Sequence, residues 1–297
     1  INLKIKKSSE VIAVTNPAIF LPFVVFFKKK FQFRLTVLAK DIFPEVLIAA
    51  NILRKRNPFY KMLLYIFDRS YDKVDQIVVL GRDMKLLFKD KIKDYNSIKI
   101  ITNWADTETI YPLNNNIETK NNKLIFQYAG NLGRAQGIPN LLSAFSKLDS
   151  SKLELHFYGK GVFLNQISSI SHENIFYKGS FMRDELNIFL NKCDVSIVTL
   201  EKNMLGLGVP SKTYSILCAA KPILYIGDSK SEIALLVKEY KIGYVSEPGD
   251  IKSIQNAISL FLMLSSDDLK KMKIRCRKLV LENYSKNNVL NKYMKLF

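Results

Sequence analysis

The chain has 297 residues, 48% of them hydrophobic, and carries a formal net charge of +18. This length is enough for two ordinary domains, and no apolar run reaches the roughly 18 residues that a membrane-spanning helix requires. The three cysteines and two histidines show no metal-ligand spacing, which excludes a structural zinc site and indicates buried, reduced thiols in a cytosolic protein. The start lacks a signal peptide, and it begins with Ile1 inside an expected loop, so we expect that the natural beginning is missing.

The strong positive charge has two interpretations. A basic surface favours anionic partners such as nucleic acid, anionic lipid or phosphorylated substrates. The lysines are spread along the whole chain among many Asn and Ile residues, however, and a proteome rich in these residues would give the same charge. Tyr and Phe are not interleaved with basic residues as in nucleic-acid-binding modules, so we expect no nucleic-acid partner.

Strand-like and helix-like runs alternate along the first part of the chain. Predicted strands cover residues 11–15, 34–39, 76–80 and 98–102, and predicted helices cover residues 17–30, 44–54, 59–71 and 84–91. A polar, Asn-rich break at residues 113–123 then predicts a linker, which follows a first domain at residues 1–112.

A second alternating series begins after this break. Predicted strands cover residues 124–129, 153–158, 175–177, 195–200, 223–226 and 243–246, with helices at 138–148, 185–191, from Pro210 onward, 233–240 and within 251–297. Such alternation is typical of βαβ units and parallel sheets. We therefore predict an α/β protein with two doubly wound parallel-sheet domains, the first one incomplete. The second domain is predicted at residues 124–280, and a C-terminal helix at 281–297 is predicted to pack back on the first domain.

The loops that leave the strands of the second domain are rich in glycine or basic residues. Ligands of open parallel sheets bind beyond the carboxyl ends of the strands, where such loops meet. In the loop from Gly130 to Gly137, glycine allows close approach of the backbone to a ligand, and Arg134 offers two parallel hydrogen bonds to a phosphate. The spacing matches neither a P-loop nor a dinucleotide fingerprint, and glycines alone can simply shape turns.

A second anion-binding feature follows the strand predicted at residues 195–200. Pro210 suits the first turn of a helix, which places Ser211 and Lys212 beside unpaired backbone N–H groups. Helix N-termini attract anions, above all phosphates, and Lys212 adds a full charge. The alternative is a helix cap at a strand–helix junction with a solvated lysine. Because two such loops converge with Lys212 at one sheet edge, we expect an anionic ligand.

Four motifs resemble those of the retaining glycosyltransferases of family 4. They are Gln-Tyr-Ala-Gly-Asn-Leu-Gly-Arg-Ala-Gln-Gly at 127–137, the Pro-Ser-Lys loop and helix at 206–222, Lys-Asp-Ile-Phe-Pro-Glu at 40–45, and Asn-Trp-Ala-Asp at 103–106. They span nearly the whole chain in the expected order. The branch that the chain most resembles transfers amino sugars to lipid-linked carriers during assembly of bacterial surface polysaccharides, such as O-antigen and capsule.

The resemblance implies a GT-B fold whose second domain binds a UDP- or other nucleotide-sugar. Arg134 and Lys212 would hold the diphosphate and neutralise the leaving group, with no cofactor and no metal ion. The other donor-binding residues implied in this way are Gly130, Asn131, Gly133, Lys160, Tyr177, Gly179, Gly208, Pro210, Ser211 and Ser215. The implied acceptor is a polyprenyl-phosphate-linked saccharide, and the implied location is the cytoplasm or the inner face of the cell membrane.

The chain departs from the family pattern at several of these positions. Many relatives carry a pair of glutamates where this chain has Leu207 and Ser215, so a ribose-binding carboxylate is replaced by a weaker hydroxyl. The usual Arg and Lys of the first loop correspond to Asn131 and Gln136, so that Arg134 must substitute for them. Lys40 stands where many relatives have a histidine, and the upstream part of the first domain is not present.

An apolar run near the start indicates a membrane contact. Residues 18–27 are apolar around the full circumference of a helix and are followed by Lys28, Lys29 and Lys30. A sheet-covering helix normally keeps one polar face, so this segment suits the interface of an anionic bilayer. The alternative is a core helix that is followed by a turn.

Three functions remain open from the sequence. The first is a sugar transferase that uses a nucleotide-diphospho-sugar and a lipid-linked acceptor. The second is a catalytically impaired remnant that at most binds nucleotide, which Ser215 and the missing start favour. The third is a sugar-nucleotide epimerase of similar two-domain shape, which the Pro-Ser-Lys loop and the segment at residues 41–45 disfavour.

Overall fold

The computed structural model of the protein describes residues 9–113, 123–133 and 136–296. Most of the predicted linker and the predicted phosphate ligand Arg134 therefore lie outside the described residues. The chain divides into two compact units. The first comprises the chain up to Thr102 together with Asn203–Val209, and the second comprises Asn103–Lys202 and the chain from Pro210 onward.

The first unit is built on four parallel strands in the order β1-β2-β3-β4. These strands are β1 (Glu10–Val14), β2 (Arg34–Ala39), β3 (Gln76–Val79) and β4 (Ile98–Ile100). The helices that connect them are α1 (Phe20–Phe31), α2 (Glu45–Ala49), α3 (Pro58–Tyr71) and α4 (Arg82–Leu87). Since the order is consecutive, the described sheet winds in one direction. β3 is buried along its whole length, as expected for a central parallel strand that is covered on both faces.

The second unit is built on six parallel strands in the order β10-β9-β8-β5-β6-β7. They are β5 (Leu124–Ala129), β6 (Leu153–Tyr158), β7 (Ile175–Tyr177), β8 (Val195–Thr199), β9 (Ile223–Ile226) and β10 (Gly243–Ser246). This is the strand order of a Rossmann sheet, and the winding reverses between β5 and β8. The crevice beyond the carboxyl ends of these two strands is the place where doubly wound sheets bind ligands.

Helices cover the sheet of the second unit and continue to the end of the chain. They are α5 (Ile138–Phe145), α6 (Leu164–Ser168), α7 (Leu186–Leu190), α8 (Lys212–Cys218), α9 (Glu232–Tyr240), α10 (Ile251–Leu262), α11 (Ser266–Leu279) and α12 (Lys286–Met294). The core on one face of the sheet centres on Phe126, whose ring makes edge-to-face contacts with Phe145 of α5 and Phe261 of α10. Such aromatic pairs add packing energy beyond the burial of their area.

Some element boundaries differ from those predicted. The helix predicted at residues 44–54 ends at Ala49, because Asn51 adopts a left-handed backbone conformation with φ of 57° that a helix cannot continue. The helix expected from Pro210 begins instead at Lys212, with Ser211 as its N-cap residue. Within the described ranges, no helix has both the length and the apolarity to cross a bilayer.

Candidate functional site

The candidate site lies at the carboxyl ends of β5 and β8, where the strand order reverses. Lys212, the first residue of α8, extends its side chain to the end of β5. Its Nζ atom donates to the carbonyl oxygen of Ala129 at 3.2 Å and lies 4.4 Å from the centroid of the Tyr128 ring. A helix start, a strand end and an aromatic face thus fix one ammonium group at the switch point of the sheet.

The ammonium group of Lys212 is held without a balancing charge. Among the described residues, no carboxylate pairs with it, and desolvation by burial lowers its pKa to about 8. Burial of a cation is unfavourable unless an anion compensates it. The solvated lysine of the alternative interpretation is therefore wrong. The arrangement is suited to an anionic ligand that would supply the missing charge.

Two glycines allow the loops after β5 and β6 to lie against each other beside Lys212. Gly130 has φ of +142°, and a Cβ atom on it would lie 3.7 Å from Nζ of Lys212. A Cβ atom on Gly159 would lie 1.9 Å from the carbonyl oxygen of Gly130, a distance that no side chain tolerates. The backbone N–H of Leu132 donates to the carbonyl of Lys160 at 2.9 Å and joins the same two loops further along. The sequence therefore needs glycine here for close backbone approach.

A hydrogen-bond network ties the ends of β5 and β8 together beneath the loop. Tyr128 donates its hydroxyl to the carbonyl of Asn131 at 2.8 Å, and Thr199 donates to Oε1 of Gln136 at 3.0 Å. The Tyr128 hydroxyl also lies 3.3 Å from the same Gln136 oxygen. Burial raises the pKa of Tyr128 to about 12, so it remains a neutral donor. Gln136, at a position where the family resemblance implies a cation, thus holds the loop in place through these two contacts.

The remaining residues predicted for the donor site fall in several places. Tyr177 and Gly179 are at the carboxyl end of β7, where the Tyr177 hydroxyl donates to the carbonyl of Gly159 at 3.0 Å. Lys160 is exposed in the loop after β6. Asn131 and Gly133 lie in the loop after β5, and Pro210, Ser211 and Ser215 lie at the start of α8. Gly208 belongs to the first unit, where it forms an isolated antiparallel bridge with Asp41.

The sequence interpretation missed Gln127 as a site residue. Its side chain is buried, and neither Nε2 nor Oε1 has a hydrogen-bond partner in the part of the chain that the structure describes. The amide faces a cavity of about 110 Å³ that Lys212 and Ser215 also line. The only available signal was an amide in the otherwise apolar strand Leu-Ile-Phe-Gln-Tyr-Ala. A buried amide without partners is costly, so this cavity is suited to polar atoms of a ligand or to water.

A second polar cluster lies at the carboxyl ends of β1 and β2 in the first unit. The hydroxyl of Thr15 accepts from the backbone N–H of Lys40 at 3.0 Å and donates to the carbonyl of Asp41 at 3.3 Å. Desolvation raises the pKa of Asp41, and the charge of Lys40 opposes this shift. Desolvation likewise lowers the pKa of Lys40. This cluster holds a carboxyl group and an amine that are both partly withdrawn from water.

No three His, Cys, Asp or Glu side chains converge on a possible metal position among residues 9–113, 123–133 and 136–296. Metal-free chemistry at the Lys212 site stays a prediction.

Comparison with known proteins gives a consistent result. Residues 112–279 match the protein family described as Glycosyl transferases group 1. The probable glycosyltransferase WbjE of Pseudomonas aeruginosa is 34% identical over 298 residues, which cover 97% of this chain and 74% of WbjE. The putative colanic acid biosynthesis glycosyl transferase WcaI of Escherichia coli is 22% identical over 212 residues, which cover 67% of this chain and 52% of WcaI.

Solved structures are similar in fold. The structure of HepE from Anabaena in complex with UDP has a TM-score of 0.76 and 12% identity, and the match covers 97% of this chain and 78% of HepE. The structure of HepE in complex with UDP-glucose has a TM-score of 0.73 and 13% identity, with the same coverage of both chains. At this level of identity the likeness shows the fold alone. It confirms the predicted fold class, with two Rossmann-like parallel-sheet domains of the GT-B type.

Proposed function

The chain belongs to the glycosyl transferases of group 1, and from this premise we propose that it transfers a sugar from a nucleotide-diphospho-sugar to a lipid-linked acceptor. The observation that carries this proposal is the ammonium group of Lys212, buried at the switch point of the second sheet without a carboxylate partner among the described residues. The diphosphate of the donor is the anion that this position lacks. That HepE was solved with UDP and with UDP-glucose supports a donor of this class.

The chemistry follows from where negative charge develops. When the bond between the sugar and the diphosphate breaks, the leaving group gains charge on its phosphate oxygens. A fixed ammonium group at that place stabilises the transition state more than the ground state. At about 4 Å and an effective dielectric constant near 20, one charge pair is worth roughly 4 kcal/mol before desolvation costs. We propose that Lys212 and Arg134 perform this role without a metal ion and that the transfer retains the anomeric configuration.

The proposal also covers the identity of the transferred sugar and of the acceptor. We propose an N-acetylated amino sugar as the transferred group and a polyprenyl-phosphate-linked saccharide as the acceptor, in assembly of a cell-surface polysaccharide. The name of WcaI, a colanic acid biosynthesis glycosyl transferase, supports the polysaccharide context. An acceptor with a lipid tail would place the reaction at the inner face of the cell membrane.

Two observations favour a second candidate function, a nucleotide-binding protein with impaired catalysis. Ser215 takes the place of a ribose-binding carboxylate, and the side chain of Gln136 is engaged by Thr199 and Tyr128. Both features are expected to lower the affinity for the nucleotide-sugar donor, compared with a protein that has the charged residues of the family pattern. A protein of this kind would bind nucleoside diphosphate without turning over a sugar donor.

Calorimetric titration with UDP and with GDP tests the donor site. We expect one of the two nucleotides to bind the unmodified protein, and Lys212→Met to weaken that binding by about tenfold or more, because a hydrogen bond to a charged group contributes about 1.5–3 kcal/mol. The matched control is Lys221→Met. Lys221 is also buried, its Nζ donates to the carbonyls of Cys193 and Asn191, and its pKa is also lowered by desolvation.

Lys221 precedes β9 at the amino edge of the same sheet, so its substitution is expected to leave nucleotide affinity unchanged. Equal affinity of the Lys212→Met and unmodified proteins would contradict the proposed donor site. Release of nucleoside diphosphate from a panel of UDP- and GDP-sugars, measured with membrane lipid extract as the acceptor, then separates the two functions. A protein that binds nucleotide and consumes no donor in any combination would support the impaired form.

A further inference from the structure

Helix α8, which carries Lys212 at its start, is too short to fix its own position. It has seven residues, and isolated helices shorter than roughly 12 to 15 residues are marginal in water. Its N-cap residue, Ser211, makes no side-chain capping hydrogen bond. The place of the Lys212 ammonium group therefore depends on the contacts that the rest of the second unit makes with α8.

The guanidinium group of Arg277, on α11, holds the far end of α8. Cys218 is the last residue of α8, so its carbonyl oxygen lies beyond the N–H groups of the helix, and it accepts from Nη1 of Arg277 at 2.8 Å. A cation at this end also interacts favourably with the helix dipole. Among the described residues, no carboxylate pairs with Arg277, so its hydrogen bonds go to carbonyl oxygens.

The same guanidinium group holds a second segment of the chain. Nη1 also donates to the carbonyl of Ile110 at 2.9 Å, and Nη2 donates to the carbonyl of Thr107 at 3.0 Å. Both carbonyls belong to residues 103–110, which we call the entry segment, since the second unit begins there after Thr102. One side chain of α11 thus joins the entry segment to α8 through charge-assisted hydrogen bonds, which are stronger than neutral ones.

A π-helical turn at Val280–Tyr284 holds the other end of α8. The ring of Tyr284 is buried and packs on the ring of Tyr214, with centroids 5.0 Å apart and an interplanar angle of 60°. Tyr214 lies in the first turn of α8, close to Lys212. The carbonyl of Tyr284 accepts from the backbone N–H of Ala105 in the entry segment at 3.0 Å. Helix α8 is therefore attached to the entry segment at both of its ends.

We propose that Arg277 is a positioning residue for the sugar transfer, which fixes α8 so that the Lys212 ammonium group stays at the carboxyl ends of β5 and β8. This role rests on the function proposed above, because Arg277 acts on the donor only through Lys212. Its partner Cys218 lies at the opposite end of α8 from Lys212. A displacement of a catalytic group by about 1 Å can lower a rate by about 100-fold, so a residue that holds such a group affects the reaction strongly.

Arg275 offers a matched comparison on the same helix. Its Nε atom donates to the carbonyl of Lys241, the C-cap residue of α9, at 2.9 Å. Arg275 thus holds the end of a helix as Arg277 does, but α9 carries none of the predicted donor-site residues. Substitutions of the two arginines therefore separate support of the fold from positioning of Lys212.

A double-mutant cycle with Lys212 tests the proposal by calorimetric titration, with whichever of UDP and GDP binds the unmodified protein. Arg277→Lys keeps the charge but loses the planar fork that reaches several carbonyls at once. We expect it to weaken binding by about fivefold, since a displaced ammonium group loses part of its charge-assisted hydrogen bond to the diphosphate. In the Lys212→Met background, the same change is expected to alter the affinity by about twofold or less. Arg275→Lys is expected to leave the affinity unchanged in both backgrounds.

Substitution of Tyr284 tests the other attachment independently, should Arg277→Lys lower the folded fraction. Tyr284→Leu is expected to weaken nucleotide binding by about threefold, again only while Lys212 is present. The control is Tyr244→Leu, which removes a ring that packs on Phe261 with centroids 4.7 Å apart and is expected to keep the affinity. Circular dichroism checks that each variant is folded at the temperature of the titration.

The protonation of Lys212 gives a readout that needs no nucleotide. Lysine side chains are labelled with carbon-13 methyl groups, and the signal that is missing in Lys212→Met identifies Lys212 in magnetic resonance spectra. Burial lowers the pKa of Lys212 to about 8, and Arg277→Lys is expected to raise this pKa toward the ordinary lysine value, because a displaced ammonium group regains water. Arg275→Lys is expected to leave the pKa of Lys212 unchanged.

Several outcomes would overturn the proposal. Additive losses of affinity from Arg277→Lys and Lys212→Met, or an unchanged pKa of Lys212 in Arg277→Lys, would show that Arg277 supports only the fold. Equal losses of affinity from Arg277→Lys and Arg275→Lys would show the same. A lack of nucleotide binding by the unmodified protein would contradict the donor site, and the pKa of Lys212 would then decide by itself whether Arg277 fixes this lysine.

Discussion

Two lysines of this chain are withdrawn from water in opposite ways. Lys91 in the first unit lies against the carboxylates of Glu45 and Asp68, with its Nζ 2.6 Å from Oδ1 of Asp68. Desolvation lowers the pKa of Lys91, but the hydrogen bonds and charges of these two carboxylates outweigh that effect, so its pKa is raised. Lys212 in the second unit has a carbonyl oxygen and an aromatic ring instead, and desolvation lowers its pKa to about 8.

The difference separates a structural lysine from a functional one. The protein itself completes the charge balance around Lys91, so this lysine holds α3 to the segment that follows α4. Among the described residues, no carboxylate balances the charge of Lys212, and we propose that a ligand does so. We infer that burial without a carboxylate partner does not by itself identify a functional cation, since Lys221 shares it, and that the position of Lys212 at the carboxyl ends of β5 and β8 distinguishes it.

The largest expected effect concerns Lys91. Its replacement by methionine is expected to lower the free energy of unfolding by about 2 to 3 kcal/mol, because two partly buried carboxylates lose the cation that compensates them. Urea denaturation followed by circular dichroism measures this change. The control is Lys93→Met, since the side chain of Lys93 is 90% exposed and its pair with Asp72 contributes little. Equal stability of the two variants would remove the basis for calling Lys91 structural.

The second prediction concerns the pH dependence that Lys212 causes. Between pH 8 and pH 10.5 the unfolded chain keeps the proton on Lys212 and the folded chain has lost it, so stability rises with pH across this window. Compared with Lys212→Met, the unmodified protein is expected to gain about 2 kcal/mol over that range after allowance for partial exposure of the side chain. Urea denaturation at a series of pH values measures it. Parallel curves for the two proteins would contradict the lowered pKa.

A carboxylate placed near Lys212 is expected to give this lysine the kind of charged partner that Lys91 already has. Ser215→Glu introduces the carboxylate that the family resemblance implies at this position, one helical turn after Lys212. We expect it to tighten nucleoside diphosphate binding about tenfold, because a charged acceptor strengthens a hydrogen bond to a hydroxyl. It is also expected to raise the pKa of Lys212 and to flatten the pH dependence described above. Ser215→Gln, which lacks the charge, is the control, and a tenfold gain with glutamine would show that the charge is not the cause.

The smallest expected effect tests the cavity beside Lys212. Gln127→Leu is expected to raise the free energy of unfolding by about 1 kcal/mol, because it removes a buried amide that makes no hydrogen bond among the described residues. Thr199→Val serves as the opposite case, since it removes a hydroxyl that donates to Gln136 at 3.0 Å and should lower stability by a similar amount, about 1 kcal/mol. A loss of stability with Gln127→Leu would show that the amide is satisfied in solution, for example by water.

Much of the fold follows from the sequence because its signals are local. The alternation of apolar strands and helices predicts parallel βαβ units, and the short connections of such units fix which strands are neighbours. The loops at Gly130 and Lys212 come together for the same reason, since they leave the two central strands β5 and β8 at one edge. Arg134, the other predicted phosphate ligand, lies outside the described residues, and its role stays a prediction.

The rest depends on contacts that no local pattern records. Gln136 accepts a hydrogen bond from Thr199, which is 63 positions away in the chain, and no local pattern predicts this contact. The burial of the Lys212 ammonium group depends on the ring of Tyr128, which lies against it. The cavity beside Gln127 forms only when residues of α7 and α8 pack over the strand. The apolar circumference of α1 is evident from the sequence, but only the fold shows that the described residues leave the face with Phe23 and Phe26 exposed.

The carbonyl-bound ammonium group of Lys212 also has a consequence for heat measurements. An anion that binds beside it raises its pKa from about 8, so at pH 8 to 9 the complex takes up a proton that the buffer must release. The enthalpy of UDP binding should therefore change with the ionisation enthalpy of the buffer in that range and depend on it least near pH 7, where the lysine is mostly charged and the terminal phosphate, with a pKa of about 6, has mostly lost its proton. The slope of enthalpy against buffer ionisation counts the protons captured, and in Lys212→Met it should be close to zero between pH 8 and pH 9.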